Sequence, residues 1–207
     1  MPTMLANHLG PEQLGNHKPL TVRELSVLFD GAPFRWGLCG GFAIDQFVGH
    51  PTRPHEDLDI ALFRENEVSM RARLPSWEFW AAHEPGRGLD LLPDGRSIAS
   101  DVHMIWCREK GSDKWSLEVL IEEGNESNWT YRRDTRIRRP VSEIFWSTGQ
   151  IPVMRPEIIL LYKAKEPREN DRHDLDASLP KLDPVAREWL RNALVTAHPF
   201  SPWAALI

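Results

Sequence analysis

Residues 36–63 read WGLCGGFAIDQFVGHPTRPHEDLDIALF, and their periodicity changes twice. A short apolar run ends on the glycine pair Gly40 and Gly41. The next eight residues space Phe42, Ile44 and Phe47 along a helix that stops at Gly49, a residue suited to a left-handed C-cap. DLDIALF then returns to the pattern of a strand. A strand, a glycine turn, a helix and a returning strand restrict the chain to folds in which helices pack on a sheet, α/β or α+β.

The returning strand carries chemistry. Residues two apart on a strand face the same side, so Asp57 and Asp59 project together while Leu58 and Ile60 turn to the core. Two carboxylates held this close repel; taken alone the pair fits two acids at an exposed strand edge, and the alternative is a divalent cation that relieves the repulsion. Oxygen ligands suit magnesium, which keeps coordination sites for water and phosphate. Upstream, Gly40 and Gly41 let the backbone approach a phosphate and offer it the amides of a helix N-terminus. A second DLD, at Asp174 and Asp176, lies in a segment with helical texture, where residues two apart diverge. That pair is expected to be solvated helix surface.

Around this unit the chain divides into an irregular lead-in (1–20), a core (21–155) and a helical C-terminal part (156–207). TVRE at 21–24 is a capping box opening a helix to about Phe29. Further strands are expected at WEFWA, DVHMIWC and WSLEVLIEE, and NWTYRRDTRIRRPV is expected to be one more. Residues 83–97 read as a loop. After Pro156 come three helices, the last opened by Asp183 and Pro184. The expected fold is α+β (mixed α/β), a mixed β-sheet flanked by helices with a helical C-terminal part.

The chain has 207 residues, 41% hydrophobic and 27% charged, enough for one sizeable core. No apolar run approaches the roughly 20 residues that span a bilayer, and the first residues lack signal-peptide character. The expected location is the cytoplasm. Cys39 and Cys107 stand far apart, with neither a disulfide framework nor a zinc spacing. A net charge of −5 argues against a dedicated nucleic-acid binder.

The run from Gly40 to Phe63 resembles the core of the nucleotidyltransferase superfamily that includes DNA polymerase β. It is most similar to the branch of aminoglycoside 2''-adenylyltransferases and small lincosamide nucleotidyltransferases. The resemblance rests on Gly40, Gly41, Phe42, Ala43, Ile44 and Asp45, then Gly49, Thr52, Arg53, His55, Asp57 and Asp59. It implies attack of an acceptor hydroxyl on the α-phosphorus of ATP or another nucleoside triphosphate, with two magnesium ions held by Asp57 and Asp59. An aminoglycoside or lincosamide antibiotic is the implied acceptor. A protein or RNA acceptor, or a non-catalytic nucleotide-binding protein of the same fold, are the alternatives.

Such enzymes place a third carboxylate on a neighbouring strand, as metal ligand and base. Glu118, in the middle of an apolar strand, is the leading candidate, ahead of Asp101 and Asp90. Arg53 and His55 precede the acids where a donor can reach a phosphate or order the carboxylates; the alternative is that they only tie down the loop. Lys163 follows an apolar helical run and can reach the triphosphate; the alternative is a cation favoured near a helix C-terminus. The arginines of RRDTRIRR read as the solvated face of a strand, and His103 as a half-buried structural residue. Neither the acceptor hydroxyl nor the oligomeric state is encoded in any motif.

Overall fold

The computed structural model describes residues 7–83, 86–125 and 127–207. The chain begins with two short strands, β1 (His8–Leu9) and β2 (Asn16–His17), followed by α1 (Val22–Leu28), β3 (Trp36–Cys39), α2 (Gly40–Val48) and β4 (Asp59–Phe63). Next come α3 (Glu67–Arg73), β5 (Trp77–Ala82), β6 (Leu89–Leu91), β7 (Met104–Glu109), β8 (Lys114–Trp115) and β9 (Leu117–Gly124). The remainder is β10 (Asn128–Thr130), β11 (Arg138–Pro140), β12 (Phe145–Thr148), β13 (Ile151–Met154), α4 (Pro156–Lys163), α5 (Glu169–Ser178) and α6 (Pro184–Ala197). Parallel and antiparallel strands both occur, helices flank them, and the C-terminal part is helical, as the sequence leads one to expect. No helix among the described residues is long and apolar enough to cross a membrane.

Contacts gather the chain into two units, each drawn from two stretches of sequence. One takes the chain up to Trp36 together with Glu56–Ile121, and the other takes Gly37–His55 together with Glu122–Ile207. The division expected at 155/156 runs between β13 and α4, inside the second unit.

In the first unit the strands lie in the order β1-β6-β5-β7-β9-β4, with β2 and β8 as a separate parallel pair. Strand β5 is buried on both faces from Trp77 to Ala81, and its one charged residue, Glu78, is paired with Arg108 at 2.9 Å. Helix α1 opens as expected: Thr21 caps Glu24 N, and the Glu24 side chain accepts from Thr21 N. The lead-in is more ordered than expected, since β1 pairs with β6 and β2 with β8. The segment 83–97 contains β6, and residues 84–85 lie outside the described residues. A buried ion pair, Arg71 to Glu67 at 2.8 Å, pins the loop after β6: Arg71 donates to the carbonyls of Pro93 and Arg96, and Glu67 accepts from Ile98 N.

In the second unit β13 runs parallel to β3, with Val153 opposite Leu38, and antiparallel to β12. The segment expected to be a single strand, NWTYRRDTRIRRPV, is instead two, β10 and β11, paired antiparallel. Arg132, Arg133 and Arg136 lie in the turn between them and Arg138 and Arg139 in β11; Asp134 N closes the turn on Tyr131 O, and Asp134 Oδ1 accepts from Arg136 N. Helix α4 buries four consecutive apolar residues, Ile158 to Leu161, and the buried Glu157 before them is paired with Arg139 at 2.7 Å. Helix α6 starts at Asp183, whose side chain accepts from Ala186 N, with Pro184 at the first helical position.

Candidate active site

Strand β4 starts at Asp59, so Asp57 precedes the strand instead of lying within it. The expected alternation holds across the junction: Leu58 and Ile60 are fully buried. Glu118 N donates to Leu58 O at 2.9 Å, which sets Glu118 beside the acids. Its neighbours Leu117 and Val119 point into the core, and Glu118 itself is only 6% exposed. One carboxylate oxygen from each of Asp57, Asp59 and Glu118 lies within 4.8 Å of the others. Three hard, anionic oxygens at this spacing fit a divalent cation such as magnesium. Among the described residues this is the one cluster of metal-ligating type. The two rivals lie elsewhere. Asp90 is bound by His8 and His83, which hold its carboxyl below the ordinary range, and Asp101 sits exposed in the turn before β7.

His17, which the sequence did not single out, approaches Glu118: its Nε2 is 3.1 Å from Oε1. The bond to Glu118 raises the imidazole above its ordinary pKa, against a smaller opposing effect of burial.

The glycine turn lies in the second unit. Gly40 has φ +63°, a left-handed conformation that disfavours any side chain. Gly41 is required for a different reason: a Cβ there would collide with the His55 ring and lie 2.8 Å from Arg53 Nη2. The buried residues of α2 are Gly41, Ala43, Ile44, Asp45 and Val48, with one acid among them. Asp45 accepts from Thr52 N at 2.8 Å and Thr52 Oγ1 at 2.7 Å, and its other oxygen takes His55 Nε2 at 2.7 Å. One carboxylate thereby folds the loop after Gly49 back onto the helix. His55 packs on Phe42, with ring centroids 4.6 Å apart, and its buried Nδ1 has no hydrogen-bond partner among the described residues. Phe42 and Phe47 are half-buried, while Ala43, Ile44 and Val48 make the core contacts.

The second DLD departs from expectation. Asp176 is exposed and binds Arg172, but Asp174 is fully buried. It accepts from Arg53 Nε at 2.8 Å and Nη2 at 3.0 Å, and pairs with Lys163 Nζ at 2.9 Å. Lys163 also donates to Asp171 at 2.6 Å, so two of its three N–H donors are committed. The two cations expected to meet phosphate are thus brought together on one carboxylate. The signal was available: Asp171, Asp174, Leu175 and Ser178 are spaced i, i+3, i+4, i+7, and all four are buried.

A sequence model of the aminoglycoside-2''-adenylyltransferase family matches residues 21–177. The chain belongs to that family. It is accordingly a nucleotidyltransferase of the antibiotic-resistance branch. Among solved structures, the lincosamide antibiotic adenylyltransferase LnuA, determined with lincomycin bound, is 17% identical with a TM-score of 0.52, covering 77% of this chain and 97% of its own. ANT(2'')-Ia, in complex with adenylyl-2''-tobramycin, is 12% identical with a TM-score of 0.53, covering 83% of this chain and 94% of its own. At these identities the likeness is one of fold. No curated protein sequence matches.

Proposed function

We propose that this family member moves AMP from ATP onto a hydroxyl of a small molecule, with an aminoglycoside or lincosamide antibiotic as the acceptor class. The observation that carries the reading is the convergence of Asp57, Asp59 and Glu118 in a chain of this family. The lincomycin bound to LnuA and the adenylyl-2''-tobramycin bound to ANT(2'')-Ia support the acceptor class. A net charge of −5 suits a cationic acceptor better than RNA. The cytoplasm, which supplies nucleoside triphosphates, is the location that suits this reading.

In this reading Asp57, Asp59 and Glu118 hold two magnesium ions, which when bound neutralise charge on the phosphate oxygens. Glu118 accepts the proton of the acceptor hydroxyl. The hydroxyl oxygen bonds to the α-phosphorus, the bond from that phosphorus to the bridging oxygen breaks, and pyrophosphate leaves. Gly40, Gly41 and the first amides of α2 receive the triphosphate. Arg53, His55 and Lys163 add donors to it, the first and last preset by Asp174 and His55 by Asp45.

ATP binding measured by calorimetry, with and without magnesium, on the wild type and Asp59→Asn tests the reading. Magnesium-dependent binding lost in the variant is expected, followed by pyrophosphate release with tobramycin or lincomycin. Failure to bind any nucleoside triphosphate under any metal condition overturns it in favour of a non-catalytic protein. Release driven by RNA or a protein substrate alone overturns the acceptor class.

A further inference from the structure

We infer that His17 is a positioning residue for the Glu118 carboxylate, so that the segment preceding the family-matched residues is part of the site. The inference rests on reading Asp57, Asp59 and Glu118 as metal ligands.

The backbone delivers His17 to its place. Strand β2 runs parallel to β8 with His17 opposite Trp115, and the pairing continues through Lys18 N to Trp115 O at 2.8 Å and Leu20 N to Ser116 O at 2.9 Å. Glu118 follows two residues after Ser116 on the same run of chain. The segment is also held by its side chains: Leu9 and Leu14 pack against the Trp80, Leu89 and Trp115 cluster, and Trp115 Nε1 donates to Leu14 O. These contacts do for residues 8–20 what periodicity does for longer elements.

The ring has a defined seat. His17 meets Trp106 edge to face, with centroids 4.9 Å apart and planes at 67°. Trp106 is the cross-strand partner of Glu118 in the β7–β9 pairing. One tryptophan therefore walls both the imidazole and the carboxylate, and Nε2 comes to 3.1 Å from Oε1. A glutamate side chain turns about three torsions, and a donor fixed at one oxygen selects among its rotamers. Donors of this kind orient ligating carboxylates, and their loss typically weakens metal binding by roughly 10–100-fold.

The test is Mn²⁺ binding to metal-free protein, followed by electron paramagnetic resonance, for the wild type, Asp57→Asn, His17→Ala and His17→Gln. His17→Ala is expected to weaken Mn²⁺ binding by about 10–100-fold. His17→Gln, whose amide reaches the position of Nε2, is expected to recover most of it. Thermal melting of the metal-free variants checks the fold; His17→Asn, whose amide stops short of the carboxylate, replaces the alanine variant if that does not fold. Mn²⁺ binding lost in Asp57→Asn but unchanged in His17→Ala overturns the role of His17 alone. Equal weakening in His17→Ala and His17→Gln also overturns it, since the hydrogen bond is then not what matters. A wild type that binds no Mn²⁺ overturns the metal reading and this inference together.

Discussion

Arg53 grips Asp174 through both Nε and Nη2, at 2.8 and 3.0 Å, across 121 residues of sequence. Asp174 is fully buried and also pairs with Lys163, so a single carboxylate orders two cations from separate segments. A buried acid with three charged bonds is tolerated because nearly all its lone pairs are used. Removing it leaves two cations short of a partner.

Asp174→Asn is therefore expected to cost about 3–5 kcal/mol, the scale of breaking a buried ion pair from one side. Urea denaturation at pH 7 measures it. The pH dependence follows. Burial pushes Asp174 and Asp171 up, but bonds to Arg53 and Lys163 in one case, and to Arg168 and Lys163 in the other, outweigh it and hold both below the ordinary range. A lowered folded pKa contributes stability that is present above the unfolded value, about 3.9, and lost as pH falls through the folded one. The wild type should lose stability below about pH 4, and Asp174→Asn should show a shallower acid limb. Parallel acid limbs would deny Asp174 this part.

Glu122 carries the opposite sign. It is 2% exposed and accepts from Trp129 Nε1 at 2.6 Å and Tyr162 OH at 2.7 Å. Burial raises its carboxyl more than these two bonds lower it. The contribution from a raised pKa is complete below the unfolded value, about 4.3, and is lost as pH rises through the folded value. Glu122→Gln keeps an acceptor for both donors without the buried charge, and should equal or exceed the wild type by about 1 kcal/mol at pH 8. The difference should vanish near pH 4, which melts at the two pH values decide.

Gly41→Ala puts a methyl into the His55 ring, which Asp45 holds from its other side. Overpacking of this kind costs about 1–3 kcal/mol. ATP affinity should fall with it, because the displaced ring stands at the turn proposed to receive the triphosphate. Calorimetry that finds unchanged ATP affinity in a folded Gly41→Ala variant would separate this turn from nucleotide binding.

Glu118→Gln should lower turnover by about 10²–10⁴-fold if Glu118 is the general base, with a smaller change in ATP affinity. Asp101→Asn, at an exposed position apart from the acid cluster, should leave both unchanged. Steady-state kinetics of the two variants side by side distinguish them. Equal losses of turnover and affinity in Glu118→Gln would leave Glu118 a ligand only.

Elements with local signals were legible in the sequence. The capping box at Thr21 and Glu24, the Gly49 stop and the Asp183–Pro184 start each act within one turn of helix, and each stands where the pattern placed it. The alternation around Leu58 and Ile60 marked the acid pair, and the family resemblance pointed to Glu118. The short strands were not legible: β1, β2 and β6 have two or three residues and no period, and β10 and β11 were merged through their turn. Strands β12 and β13, of four residues each, are equally without a signal.

The sequence by itself determined where the helices start and stop, which residues carry the family motif, and that Asp57 and Asp59 share a face. Tertiary structure decided which carboxylates are buried and what meets them. Asp174 and Asp176 look alike in sequence, yet one lies at 0% exposure between Arg53 and Lys163 while the other stays at the surface. His17 likewise acquires its relation to Glu118 only when two residues of backbone pair with β8. The physical reason is the same in both cases: a cap or a stripe is satisfied by neighbours in the chain, whereas a buried charge is satisfied by groups that only folding brings within 3 Å or so of it.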